Sequence, residues 1–210
     1  MLDVHPPHAA AHSWRDIFIH LATITIGLLI ALSLEGGVEW LHHRHLVAEA
    51  RENIRSEITA NQKLLAEDVK AIHADERQMQ SNMDTLRSLR SNPSAHGAVT
   101  LGWSWSAMNG SAWQTARDTG ALSYMPYEKV QGFADTYFQQ DLVNEAGHTL
   151  IRNHTQAGIP LLIEKPPANF TPAQIDEALH RCAETYMQLE LLEDLIKGLD
   201  HNYTDALRNL

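Results

Sequence analysis

Eighteen consecutive residues, Ile17 to Leu34 (IFIHLATITIGLLIALSL), carry no formal charge, and His20 is the one titratable side chain among them. A helix of that length rises about 27 Å, close to the ~30 Å hydrocarbon core of a bilayer. Trp14 and Trp40 bracket the run. As parts of one helix they stand about 39 Å apart, near the ~40 Å between opposite headgroup regions. Tryptophan favours that interface, so the pair reads as an aromatic belt. Ser13, with Asp16 three residues on, supplies a capping pair at the start.

Two other readings compete. Ala31-Leu32-Ser33 offers the small residues of a signal-peptide cleavage point. The region before the run is long and poor in basic residues, however, and helical signals continue past Trp40. A buried core helix seldom needs so long a run of apolar or neutral residues. The retained anchor is the better reading: an N-terminal tail at 1–13, a transmembrane helix at 14–41 and a helical bundle domain at 42–210. Thr23, Gly27, Ala31 and Glu35 recur every four residues and share one face. Small side chains there would let a second span approach closely and form a homo-oligomer, the other reading being chance, since alanine, glycine and threonine are common in spans. Glu35 falls where hydrocarbon gives way to headgroups. Arg15 precedes the span while Arg44, Arg51 and Arg55 follow it. That asymmetry leans towards an inner-membrane protein with its C-terminal domain in the cytoplasm.

Beyond the span, residues 38–91 lack proline and glycine. Ile58, Leu65, Ile72, Met79 and Leu86 recur every seven residues, joined by Val47, Ile54, Val69, Met83 and Leu89. This is an amphipathic helix with a heptad-like seam. Its companion seam holds Asn61, Asp68, Asp75 and Asn82, which suit a wet partner face better than a dry coiled coil. Asn92-Pro93 ends the helix. Residues 93–110 then read as a loop or short extended segment lying on the bundle. Ser111 and Gln114 form an expected capping box for a short helix that stops at Gly120. The next helix is expected from 127 to about 157, with Val130, Phe133, Tyr137 and Phe138 buried and Gly158-Ile159-Pro160 closing it; Pro166-Pro167 marks a turn. The last helix has the clearest start: Thr171 as N-cap, Pro172 at N1, Gln174 at N3, and Phe170 placed to staple onto Ile175. Ile175, Cys182, Leu189, Ile196, Tyr203 and Leu210 form its seam, interleaved with Ala178, Leu192, Leu199 and Ala206, and the long helix is the natural antiparallel partner. The fold class is all-α: a transmembrane helix, a long amphipathic helix and a small bundle.

The segments IGLLIAL (26–32), Trp40 at the span exit, the long charged helix and SAWQTARDTGALSYMPYEKV (111–130), with its W-x(6)-G-A-L core, occur in that order. In this arrangement the chain resembles a loose group of uncharacterised bacterial single-span membrane proteins, classed as domains of unknown function. The resemblance implies architecture and membrane location, and it brings no catalytic residues or cofactor.

Several function classes are disfavoured. A formal charge of −10 repels a phosphate backbone, which argues against nucleic acid as a partner. The single cysteine, Cys182, excludes an internal disulfide framework and a cysteine-rich zinc module, and its seam position reads as a small buried hydrophobe. Nucleophile-elbow and phosphate-loop motifs are missing. Glu-x-x-His, the spacing of di-iron carboxylate bundles, occurs at Glu39/His42, Glu145/His148 and Glu177/His180. Fourteen glutamates and thirteen histidines yield about one such pair by chance, so solvated pairs are the expectation. His42, His43 and His45 are the metal candidates at the span exit, with His5, His8 and His12 before the span. Trp103, Trp105 and Trp113, with Tyr124 and Tyr127, mark a second candidate interaction surface beside Thr23, Gly27 and Ala31; packing into the core is the commoner fate of such clusters. The leading expectation is a non-enzymatic interaction or scaffold protein that self-associates through the transmembrane and long helices, with the bilayer as its other partner and no cofactor. The alternative is a membrane-anchored sensor or metal-binding protein using the exit histidines or the Trp-rich loop.

Overall fold

A computed structural model describes residues 13–92, 94–102, 105–164 and 167–210, with side chains described outside 157–164. His5, His8, His12, Pro93, Trp103 and Pro166 therefore lie outside the described residues. Every regular element among the described residues is helical: α1 (Trp14–Ser91), α2 (Ser111–Asp118), a 3-10 turn (Ala121–Tyr124), α3 (Tyr127–Glu164), a second 3-10 turn (Pro167–Asn169) and α4 (Pro172–Asn209). The chain divides into two compact units, Met1–Ala48 and Glu49–Leu210.

In the first unit, helix α1 starts where Ser13 Oγ accepts the Arg15 N–H at 3.2 Å. Ser13 thus caps the helix through the Arg15 N–H. The helix runs through Gly36-Gly37 without a break. Each interior glycine costs about 1 kcal/mol relative to alanine, too little to stop a helix with long flanking turns. An 18-residue window of this helix has a mean hydropathy of 2.3 and none of it is buried. Its hydroxyls are satisfied on their own helix, Thr23 Oγ1 donating to the Ile19 carbonyl at 2.8 Å and Ser33 Oγ to the Leu29 carbonyl at 2.7 Å. One apolar helix long enough to cross a membrane is therefore present.

The second unit is built on α3, α4 and the part of α1 beyond Ala48. The seam of α1 is buried at Ile54, Ile58, Leu65, Ile72, Met79, Leu86 and Leu89. That of α4 is buried at Ile175, Cys182, Leu189, Leu192, Ile196, Leu199, Tyr203 and Ala206. Polar pairs mark the register: Gln62 with Thr204, His73 with Glu193, Gln80 with Tyr186 and Arg90 with Asp176. Each step along α1 is matched by an equal step back along α4, so the two helices are antiparallel. Helix α3 packs along α4, and its buried face carries Phe133, Thr136, Tyr137, Gln140, Val143 and Leu150. The capping box of α4 is complete: Thr171 Oγ1 accepts the Gln174 N–H at 3.3 Å, and Gln174 Oε1 accepts the Thr171 N–H at 2.7 Å.

Three expectations are corrected. Helix α3 continues past Gly158-Ile159-Pro160 to Glu164. A proline removes one donor and leaves one earlier carbonyl without it, and a 38-residue helix absorbs that loss near its end. Phe138 is 66% exposed, one helical step beyond the face that buries Tyr137. Ser111 and Gln114 do not make a capping box, because Ser111 is already the first helical residue and no side chain at Gly110 can cap it. The short helix does end as expected, with Gly120 in the left-handed region at φ +76°.

Candidate functional site

The polar seam of α1 has a specific use. Asn82 Nδ2 donates to the Thr100 carbonyl at 2.8 Å, and its Oδ1 accepts the Thr100 N–H at 3.0 Å. Asn61 repeats this with Asn109, at 2.7 Å to the carbonyl and 3.0 Å from the N–H. Between them, Asp68 Oδ1 accepts the Ser106 N–H at 3.3 Å. The contacted positions fall in multiples of seven on the helix and of three on the segment. Seven helical residues rise about 10.5 Å and three extended residues about 9–10 Å, so the two spacings nearly match. The segment after α1 therefore runs back along the helix that precedes it, held rung by rung through its main chain. Helix α3 grips the other side: Asn144 Oδ1 accepts the Met108 N–H and Asn144 Nδ2 donates to the Met108 carbonyl, both at 3.0 Å.

The ladder ends in a buried polar knot. Tyr203 Oη donates to Gln140 Oε1 at 2.7 Å, and Asn61 Nδ2 donates to the same oxygen at 3.1 Å. Nearby, Glu57 takes over the capping of α2. Its Oε2 accepts the Ala112 N–H at 2.8 Å and the Ser111 hydroxyl at 3.1 Å, while its Oε1 accepts the Tyr137 hydroxyl at 2.7 Å. A carboxylate at a helix N-terminus satisfies free N–H groups and complements the dipole. Burial and this carboxylate together hold the Tyr137 phenol well above its usual pKa.

The sequence-predicted surface residues separate into different environments. Trp113 stacks on Tyr137, with ring centroids 5.5 Å apart and planes 10° from parallel, and lies 6.4 Å from Phe133. It packs as core. Trp105 lies against Gly147 of α3, where an added Cβ would stand 2.6 Å from its Cδ2 and Nε1. Its Nε1 is buried without a hydrogen-bond partner among the described residues, as is Asp68 Oδ2. Tyr124 and Tyr127 are exposed. Thr23, Gly27 and Ala31 are exposed on the apolar part of α1, and a Cβ at Gly27 would meet nothing.

Among the titratable groups, His42 and His43 stand with ring centroids 6.1 Å apart, and His43 Nε2 is 3.9 Å from Glu39. His42 and His45 are exposed. Glu177 pairs with Arg181 at 2.7 Å, Glu145 with Arg152 at 3.3 Å, and His180 with Glu184 at 3.2 Å. The three Glu-x-x-His glutamates thus meet residues other than the histidine of their own motif: Glu39 meets His43, Glu145 meets Arg152 and Glu177 meets Arg181. Among the described residues, the convergent set of metal-type donors is His73, Glu76 and Glu193. Sequence reasoning missed it because Glu193 is distant in the chain and the α1 pair is ordered His-x-x-Glu. Cys182 lines an apolar cavity of about 230 Å³ with Leu86, Leu101 and Phe170. Burial pushes its thiol up to about 11, which makes it a poor nucleophile at neutral pH.

The chain matches no protein-family model, no curated protein and no solved structure.

Proposed function

We propose that this chain is a single-span membrane protein, anchored by 14–41, whose helical domain is a non-enzymatic interaction or scaffold module. The observation that carries the reading is the exposure of Ile17–Leu34 on every side of α1, which in water would leave a continuous apolar sleeve uncovered. The resemblance in arrangement to bacterial single-span proteins of unknown function, drawn from the sequence alone, points to the same placement. Arg44, Arg51 and Arg55 after the span favour a cytoplasmic domain at the inner membrane. Thr23, Gly27 and Ala31 supply the face for pairing with a second copy.

Membrane fractionation with an alkaline carbonate wash tests the anchor. The full chain stays in the pellet, and deletion of 14–41 releases the remainder to the supernatant. Recovery of the full chain in the supernatant overturns the proposal. Cross-linking tests the pairing, which Gly27→Leu with Ala31→Leu abolishes.

A further inference from the structure

His73 and Glu76 lie one turn apart on α1, and Glu193 faces them from α4 in the register that also pairs Gln80 with Tyr186. One donor atom from each, a ring nitrogen and two carboxylate oxygens, lies within 4.8 Å of the other two. His73 Nε2 and Glu193 Oε1 are 3.2 Å apart. Two ligands on one ion with bonds of about 2.1 Å stand roughly 3.0–3.4 Å from each other, so this pair already has ligand spacing. Glu76 closes the set by a side-chain adjustment on the order of 1 Å, which a half-buried glutamate makes by changing rotamer.

The charge balance leans the same way. Glu76 has Glu190 and Glu193 as acidic neighbours and His73 and Lys197 as basic ones. Three carboxylates thus share one region with an imidazole and the Lys197 ammonium, which is itself also paired with Asp194 at 3.1 Å. Lys197 Nζ lies 3.2 Å from Glu193 Oε1, the same oxygen that meets His73. That oxygen of Glu193 thus already faces a cationic side chain.

We propose that His73, Glu76 and Glu193 bind one first-row divalent cation of the zinc type, clipping α1 to α4, with Lys197 as its competitor for Glu193. One nitrogen with two carboxylates suits borderline ions such as Zn²⁺ or Co²⁺, whereas Ca²⁺ asks for six to eight oxygens. Binding requires a neutral imidazole whose Nε2 lone pair faces the ion, so any proton on Nε2 leaves to solvent or the ring adopts the Nδ1–H tautomer. The inference stands apart from the tethering and scaffold reading, since it concerns only α1 and α4 within the bundle.

The test is titration of the full chain in detergent with Co²⁺, followed by visible absorption, and with Zn²⁺, followed by calorimetry. One ion binds per chain. His73→Ala and Glu193→Gln each weaken binding by at least about tenfold, the loss typical even of outer-shell changes around a metal. Lys197→Met tightens it, and His42→Ala with His45→Ala leaves it unchanged. Circular dichroism verifies that each variant keeps its helices; Glu193→Gln, which retains side-chain size, keeps the test decisive where His73→Ala fails to fold. Binding undiminished by Glu193→Gln, binding lost with His42 and His45, or no Co²⁺ absorption change overturns the proposal.

Discussion

The carboxamide of Asn82 and the peptide groups of Thr100 form a two-way hydrogen-bonded pair, with Nδ2 donating at 2.8 Å and Oδ1 accepting at 3.0 Å. Asn82 is fully buried, so both bonds are made away from water. Asn82→Ala removes them and leaves main-chain groups unsatisfied, at a cost of roughly 1–3 kcal/mol. Urea unfolding measures the loss, and hydrogen exchange at Thr100 rises with it. Asn82→Asp keeps the acceptor and loses the donor, so its exchange lies between the two.

Asp68 occupies the middle of the same ladder with half of its bonding used: Oδ1 accepts the Ser106 N–H, and Oδ2 has no partner among the described residues. Burial raises its carboxyl to about 6, from 3.8 for the free side chain. The folded state therefore holds this proton more tightly than the unfolded state. Its contribution to stability is fully present below about pH 4 and is lost as pH rises through about 6. Asp75, raised by burial to about 6, adds a slope of the same sign. Asp68→Asn completes the pattern of Asn61 and Asn82. It stabilises the protein at pH 7 by about 2 kcal/mol and flattens the pH dependence between about 4 and 6, as read from thermal unfolding across that range.

Gly147 has no room for a side chain while Trp105 lies against it. Gly147→Ala destabilises by about 1–3 kcal/mol, the usual cost of overpacking. With Trp105→Ala as the background the clash is gone. The same substitution then stabilises by up to about 1 kcal/mol, because alanine is the better helix former. A double-mutant cycle in urea gives the coupling.

Glu57 receives three hydrogen bonds, from Tyr137, Ser111 and Ala112, and so joins α1 to α2 and α3. Glu57→Ala frees the start of α2 and costs roughly 2 kcal/mol, since bonds to a charged acceptor are the stronger kind. The Trp113 emission shifts to the red as its stack on Tyr137 loosens. Glu57→Gln keeps an oxygen for the Ala112 N–H and shows a smaller shift.

Removing the hydroxyl at the start of α4 gives a simpler outcome. Thr171→Ala loses the bond to the Gln174 N–H and costs about 1 kcal/mol in thermal or urea unfolding. Thr171→Ser retains the bond and most of the stability.

The helical seams were legible because they are repeats within one segment: Ile58, Leu65, Ile72, Met79 and Leu86 are all buried, as their seven-residue spacing requires. The α4 cap was legible for the same reason, since Thr171, Pro172 and Gln174 act within one turn. The α2 start is not legible locally, because its cap is supplied by Glu57, more than fifty residues away. Asn61 and Asn82 stood out as wrong for a dry seam, but nothing local named the main chain of Asn109 and Thr100 as their partners. The end of α3 lies beyond its glycine and proline because the length of helix before them outweighs the local breaking signal.

By itself, then, the sequence determined where the chain is helical, which stripe of each helix turns inward and which stretch is too apolar for water. Periodicity and hydropathy are properties of neighbouring residues, and the backbone converts them directly into a face. The tertiary structure alone decided what meets that face. The fit of Asn82, Asp68 and Asn61 to the returning segment depends on two different rises per residue running in opposite directions. The approach of Glu193 to His73 depends on the antiparallel register of α1 and α4. Both are relations between distant segments, and they exist only once the helices have packed.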